Sequence, residues 1–226
     1  MAVGSENTTA GEDSIGIGTK VIAGTGKTIA IGNTMVNSDY PTGRATIAQG
    51  KATINAATGQ VDNIFALAIG SGAQADGSVK GKSGMIAIGQ EVTADDDNTI
   101  AMGVKTKATN GNATAVGSYA QALGSSSAAF GTQAVANGLG ATAFGPAASA
   151  GTGDADGAAD GAVAIGRKAS VAKAASGAAA IGWASEATKA DATAIGHSAT
   201  ANIEGGVALG LSLIHISEPT RRVVIS

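Results

Sequence analysis

The stretch Gly24-Thr25-Gly26-Lys27-Thr28 has the residue types with which a phosphate-binding loop holds a nucleotide. In such a loop the backbone amides and the lysine surround the phosphate groups. The complete motif also requires glycine at position 21, where this chain has Val21. The same residues fall into an ordinary slot of the repeat described below, so we favour a structural role and predict no nucleotide site.

Two groups of aspartates could bind Ca²⁺. The first is Asp95-Asp96-Asp97, and the second comprises Asp154, Asp156 and Asp160. A calcium loop uses oxygen ligands at alternate positions and is closed by a glutamate. The first group lacks the alternation and the second lacks the glutamate, so we predict solvated turns and no metal.

Side chains for catalysis are also sparse. The chain of 226 residues has no Cys and only two His, His197 and His215. No nucleophile is paired with a base, and no metal-ligand spacing is present. We therefore predict that the protein is not an enzyme and needs no cofactor. The net charge of −3 argues against nucleic acid as a partner, because nucleic-acid-binding domains carry basic clusters.

The elements that position these side chains are copies of one short phrase, x-Ala-(large apolar)-Gly. Most of its copies are 14 residues apart. A fixed period indicates a repeat protein, whose units bury their apolar faces by stacking on one another. The closing glycines are Gly4, Gly18, Gly32, Gly70, Gly89, Gly103, Gly117, Gly131, Gly145, Gly166, Gly182, Gly196 and Gly210.

Each phrase predicts a short β-strand that ends at its glycine. The alternation places Ile100 and Met102 on one face and Ala101 on the other. Glycine ends the strand because it takes a positive φ at little cost. We expect the large residue to fill the interior of the coil. The predicted core therefore comprises Ile31, Ile69, Ile88, Met102, Val116, Phe130, Phe144, Ile165, Ile181, Ile195 and Leu209.

The second half of each period reads Ala-x-Ala-x-Gly, as in residues 120–124, and predicts a second strand. Two strands and two turns form one flat coil, and stacked coils form two parallel sheets. The predicted fold is all-β, a parallel β-roll of ~14-residue coils. A core of Ile, Val and Ala is too thin to stand alone, so we expect the chain to oligomerise.

The period divides the chain into four segments. Residues 1–32 and 67–210 are predicted to be regular coils. Residues 33–66 break the period, as an inserted hairpin or as degenerate coils. Residues 211–226 abandon the pattern, and we interpret them as a tail of non-native sequence or as a capping strand. Because Met1 directly precedes a repeat, we expect the chain to be a piece of a longer protein.

The phrases Lys27-Thr-Ile-Ala-Ile-Gly32, Asn98-Thr-Ile-Ala-Met-Gly103 and Ala192-Thr-Ala-Ile-Gly196 resemble the head repeats of YadA-like trimeric autotransporter adhesins. The resemblance covers residues 1–32 and 67–210. It implies a left-handed roll, a homotrimer, and a stalk and outer-membrane barrel outside these residues, with no direct membrane contact in this part. It also implies a bacterial cell-surface location and binding to host cells or extracellular matrix proteins. Asn-Ser-Val-Ala-Ile-Gly phrases bind collagen in some members, but Thr99 replaces that serine here.

We expect adhesion to be spread over the outer wall of many coils. The candidate surface residues are Asn98, Thr99, Asn112, Thr114, Trp183 and His197. Two other hypotheses remain open: a structural spacer or phage tail-fibre segment, and an ice- or crystal-binding face. An ice- or crystal-binding face would need an unbroken ladder of threonines, which the repeat does not supply.

Overall fold

The computed structural model describes residues 1–5, 8–9, 15–19, 22–23, 28–31, 35–38, 46–49, 53–56, 66–77, 84–151 and 159–210. These residues form strands and turns but no helix, and therefore no helix long enough to cross a membrane. The strands in the first part of the chain are β1 (Ala2–Ser5), β2 (Thr8–Thr9), β3 (Ile15–Thr19), β4 (Ile22–Ala23), β5 (Thr28–Ile31), β6 (Met35–Ser38), β7 (Thr46–Gln49), β8 (Thr53–Ala56), β9 (Ala66–Ile69), β10 (Gln74–Gly77), β11 (Met85–Gln90), β12 (Thr93–Asp95) and β13 (Ile100–Val104). The later strands are β14 (Lys107–Ala108), β15 (Thr114–Val116), β16 (Gln121–Ala122), β17 (Ala128–Phe130), β18 (Val135–Ala136), β19 (Thr142–Phe144), β20 (Ser149–Ala150), β21 (Val163–Ile165), β22 (Ser170–Val171), β23 (Ala179–Ile181), β24 (Glu186–Ala187), β25 (Thr193–Ile195), β26 (Thr200–Ala201) and β27 (Val207–Leu209).

The strands alternate between two parallel sheets. The odd-numbered strands form a 14-stranded sheet in chain order, here called the odd sheet, and the even-numbered strands form a 13-stranded even sheet. Ala101 pairs with Ala115, and Ala115 with Ala129, so equivalent positions of neighbouring coils lie side by side. The predicted all-β parallel solenoid with a spacing of about 14 residues is confirmed. Its handedness and its trimerisation stay predictions.

Two kinds of turn join the sheets. We call turn 1 the four residues that begin at the repeat glycine, such as 117–120, and turn 2 the segment from an even strand to the next odd strand, such as 123–127. Gly117 has a φ of 133°, and a Cβ there would lie 2.5 Å from the carbonyl oxygen of Gly131. The predicted role of the repeat glycine at the turn is confirmed, because a side chain would strain the backbone and clash with the next coil.

In the coils from β9 onward, irregular spacing falls in turn 2 and not in turn 1. Ala143 pairs with Ala164 and Ala164 with Ala180, although these pairs are 21 and 16 residues apart. The extra residues lie between β20 and β21 and between β22 and β23, respectively. The longer gap before Gly89 likewise lies between β10 and β11, with residues 78–83 outside the described part. Turn 1 keeps four residues in every coil from β9 to β26.

Residues 33–66 contribute strands to both sheets. Strand β7 pairs in parallel with β5 and β9, and β8 pairs in parallel with β6 and β10. Consecutive strands of a hairpin would pair with each other in antiparallel register, so β7 and β8 continue the coils instead. The segment boundaries stay predictions, and the tail 211–226 lies outside the described residues.

Alanine, not the large aliphatic residue, fills the interior of the roll. Ala101, Ala115 and Ala129 of the odd sheet are fully buried, as are Ala122 and Ala136 of the even sheet. The few larger interior side chains include Met85, Val92 and Val171, together with Thr99, Thr106, Ser127 and Ser185. The two sheets therefore meet across columns of methyl groups.

The predicted core was wrong for the single chain. The large residues lie on the outer face of the odd sheet, half-buried or exposed, and we call this row the apolar stripe. It comprises Ile69, Ile88, Met102, Val116, Phe130, Phe144, Ile165, Ile181, Ile195 and Leu209. The side chain of Ile31, the remaining predicted core residue, lies outside the described ones. The predicted alternation of the two faces was right, but alanine faces the interior and the large residue faces outward.

The reason is the width of the interior. Between β9 and β27, turn 1 has four residues and turn 2 has as few as four. The sheets therefore approach closely, and an inward position accommodates little more than a methyl group. Overfilling such a space forces side chains off their rotamers at a cost of about 1–3 kcal/mol. The largest apolar residue lies inside a protein only where the core is wide enough, and the two sheets of this roll are too close together for that.

Candidate interaction surfaces

The apolar stripe is an apolar surface that runs along the described coils from β9 to β27. Met102 is 38% exposed, Phe144 57% and Leu209 49%. The rings of Phe130 and Phe144, on adjacent strands, lie 6.0 Å apart between centroids and are tilted by 41°. Isolated surface apolar residues are ordinary, but a contiguous patch indicates an interaction site. One such residue in each coil from β9 to β27 gives the patch the length of these coils, whereas the equivalent position on β7 is Gln49.

Backbone hydrogen bonds link turn 1 of one coil to turn 1 of the next. From β11 onward its third residue donates to its second residue in the coil before: the Tyr119 amide reaches the Val104 carbonyl at 2.7 Å. The Ser198 amide does the same to the Trp183 carbonyl at 2.9 Å. Side chains at each turn 1 position are therefore stacked in columns along the roll.

Polar and aromatic side chains interact along these columns. Lys105 Nζ lies 3.7 Å from Glu91 Oε2 and 5.8 Å from the centre of the Tyr119 ring. Further along, the Trp183 and His197 rings lie 4.2 Å apart between centroids, tilted by 32°. The structure thus brings together two of the predicted surface residues, and both are exposed.

Turn 2 brings together a second predicted pair. Asn98 and Asn112 are exposed, with φ values of 54° and 60°, a region that asparagine tolerates better than most residues. The amide Nδ2 of Asn98 donates to Oδ1 of Asn112 over 3.3 Å. Beside them, the amide of Asn110 donates to the Leu123 carbonyl. These side chains form a polar patch on turn 2, on the opposite side of the roll from turn 1.

The other two predicted surface residues occupy different environments. Thr99 was wrongly placed: its side chain is fully buried and its Oγ1 donates to the Asp96 carbonyl over 2.9 Å. It follows Asn98 in sequence, but the chain has already turned inward there. Thr114 lies half-buried on the outer face of the odd sheet, paired with Ile100 and Ala128. It therefore lies beside the apolar stripe and not on a turn.

Arg167, Lys168 and Tyr119 are exposed turn 1 residues that the sequence analysis missed. Arg167 and Lys168 directly follow Gly166, just as Trp183 follows Gly182. Their position after the repeat glycine was the signal that would have found them.

The described residues show no arrangement for metal binding. No group of three or more His, Asp or Glu side chains among them converges on a common point. The phosphate-loop lysine Lys27 and the acids Asp154 and Asp156 lie outside the described residues. Buried hydroxyl groups instead bond to the backbone: Thr106 Oγ1 donates to the Gly117 carbonyl over 2.5 Å, and Ser185 Oγ to that of Gly182 over 3.1 Å.

The YadA head domain repeat matches residues 94–120, 122–150 and 187–212. These segments contain strands from β12 to β20 and from β24 to β27, and they are similar to repeats of the YadA head domain. That domain is an adhesin domain, not an enzyme family, and occurs in surface-exposed autotransporter adhesins. No curated protein matches the chain.

Proposed function

We propose that this chain is the head of a trimeric autotransporter adhesin on the outer membrane of a bacterium. Three copies pack around a common axis, and the assembled head binds host cells or extracellular matrix proteins. The YadA head repeats support the class of protein. The observation that carries the proposal is the apolar stripe, which a lone chain would leave in water.

The stripe suits a threefold interface because it is continuous and one-sided. Phe144 and Ile195 lie on strands of the odd sheet, whereas the outer face of the even sheet presents Lys107, Glu186 and Thr200. Burying apolar area contributes about 25 cal/mol per Å², which compensates for the weak driving force of an alanine interior. Trimerisation therefore completes a core that each chain builds only in part.

With the odd sheet turned to the axis, the even sheet and the turns are left to meet a partner. Each coil repeats the same outward positions, and the trimer presents three copies of them. Linked sites bind more tightly together than any one of them alone. Adhesion is then a property of many weak contacts spread over the outer wall.

The test has two parts. Sedimentation equilibrium should give three times the chain mass of 21.5 kDa. The same preparation should adhere to host cells or to immobilised matrix proteins, and single substitutions at exposed positions such as Asn112 should barely weaken that adhesion. A stable monomer, or a trimer that adheres to neither target, would contradict the proposal. The second outcome would favour a spacer or a tail-fibre segment.

A further inference from the structure

We infer that an edge of turn 1, formed by Arg167, Lys168, Trp183 and His197, binds an anionic carbohydrate chain such as a sulfated polysaccharide. We call these four residues the Trp183 edge. The inference rests on the proposed adhesive function, to which it adds a class of ligand and a place on the roll.

The backbone fixes the Trp183 edge as a straight column. The Ala184 amide donates to the Arg167 carbonyl over 2.9 Å, and the Ser198 amide to the Trp183 carbonyl over 2.9 Å. Arg167, Trp183 and His197 therefore occupy the same turn position in three successive coils, spaced by the strand separation of about 4.8 Å. A ligand that touches all three must be elongated and run along the axis of the roll.

The aromatic pair suits a sugar ring. Trp183 is 45% exposed although it stacks on His197, so a large part of the indole surface remains open. Pyranose rings present flat C–H faces that pack on aromatic surfaces, and the indole N–H and imidazole nitrogens supply hydrogen bonds to hydroxyl groups. Stacking on His197 also restricts the indole before any ligand arrives, which lowers the ordering cost of binding.

The charges select an acidic sugar over a neutral one. Arg167 and Lys168 are exposed, and neither forms an ion pair with another residue of the described coils. By contrast, Lys105, at the same turn 1 position as Lys168 but in an earlier coil, is paired with Glu91. Guanidinium groups bind sulfate and carboxylate oxygens through two parallel hydrogen bonds. Free cations beside an open indole thus provide both contacts that an anionic sugar needs, within a chain of net charge −3.

The experiment uses Trp183 as its own reporter, because it is the only tryptophan of the chain. Heparin is titrated into the 226-residue chain while tryptophan fluorescence is recorded, with unsulfated dextran in a parallel titration. We expect a saturable change with heparin that weakens as salt is added, and none with dextran. The double variant Arg167→Ala, Lys168→Ala should bind heparin about tenfold more weakly, since two exposed charge contacts are lost.

Lys105→Ala is the matched control. It removes one turn 1 cation that lies outside the Trp183 edge and is already paired with Glu91, so heparin affinity should change less than twofold. Circular dichroism on each variant checks that the roll is intact. Trp183→Ala removes the fluorescent reporter, so this variant is tested on a heparin column instead. It should elute at a lower salt concentration than the unchanged protein.

Three results would overturn the inference. They are the absence of a response to heparin, an equal response to poly-glutamate, which would indicate an acidic protein partner, and an equal loss in Lys105→Ala. Each of them leaves the adhesin proposal intact if the trimer still adheres to cells or matrix proteins. Conversely, a chain that binds heparin but adheres to nothing contradicts the adhesive function and not the carbohydrate site.

Discussion

Replacing Phe144 by aspartate should dissociate the trimer. Phe144 lies on β19 at the middle of the apolar stripe, and it is 57% exposed in the single chain. It packs against Phe130 from the neighbouring strand. In a threefold assembly with the odd sheets facing inward, three copies of this ring would meet near the axis. An aspartate there places three like charges in an apolar interface.

The magnitude follows from the exposed area. A phenylalanine side chain has about 200 Å² to bury, and 57% of this is about 115 Å². At about 25 cal/mol per Å² its burial contributes about 2.9 kcal/mol per chain, or about 8.6 kcal/mol per trimer. This changes the trimer constant by about six powers of ten. Because that constant scales with the square of concentration, the dissociation midpoint rises by about 1,000-fold before any charge repulsion is added.

The assay is sedimentation equilibrium over a dilution series, with Thr200→Asp as the control. Thr200 is exposed on β26 of the even sheet, so the same charge there should leave the midpoint unchanged. Thermal unfolding of the Phe144 variant should also become more dependent on concentration, because assembly and stability are linked. A Phe144→Asp protein that stays trimeric across the same dilutions as the unchanged chain would refute the proposed interface.

Two further predictions concern stability within one chain, each with a matched control. Ser127 Oγ is buried and has no hydrogen-bond partner among the described residues. Ala113 and Ala141 occupy the equivalent position in the neighbouring coils. Ser127→Ala should therefore raise the stability measured by thermal unfolding by about 1 kcal/mol. Ser185→Ala removes a hydroxyl group that does donate to the Gly182 carbonyl, and it should be neutral or destabilising; stabilisation in both would contradict the reasoning. Gly117→Ala should cost several kcal/mol, because its Cβ would lie 2.5 Å from the Gly131 oxygen, whereas Gly140→Ala, with a φ of 65° and no atom within 4 Å of the added Cβ, should cost only about 1 kcal/mol. Equal losses in denaturant titrations would show that φ alone, and not contact with the next coil, decides the effect.

The sequence predicts the backbone of this protein well, since the backbone depends on periodicity. Alternation about Ala115 and the glycine at 117 determine where a strand runs and where it ends, and the 14-residue period sets which strands pair. These features are local and recur in coil after coil. They are insensitive to what surrounds the sheet.

The direction of the side chains was not predictable in the same way. Alternation separates Val116 from Ala115, but only the distance between the sheets decides which of the two lies inside. That distance follows from the geometry of turn 1, which residue types alone do not reveal. Thr99 was misplaced for a similar reason, because its neighbour Asn98 belongs to the turn while Thr99 already faces inward. Trp183 and His197, separated by one period, were predicted as separate contacts, and the stack between them became visible only with the coils in register.

The unequal turns also bear on how such a protein changes over time and how it can be altered. Extra residues between β20 and β21 leave the pairing of Ala143 with Ala164 undisturbed. Closing a longer loop costs little additional entropy, so its length has little effect on the stability of the coils. A foreign peptide inserted at this point would be displayed at a fixed position along the roll. Turn 2 is thus a suitable place for antigenic variation and for engineered epitopes.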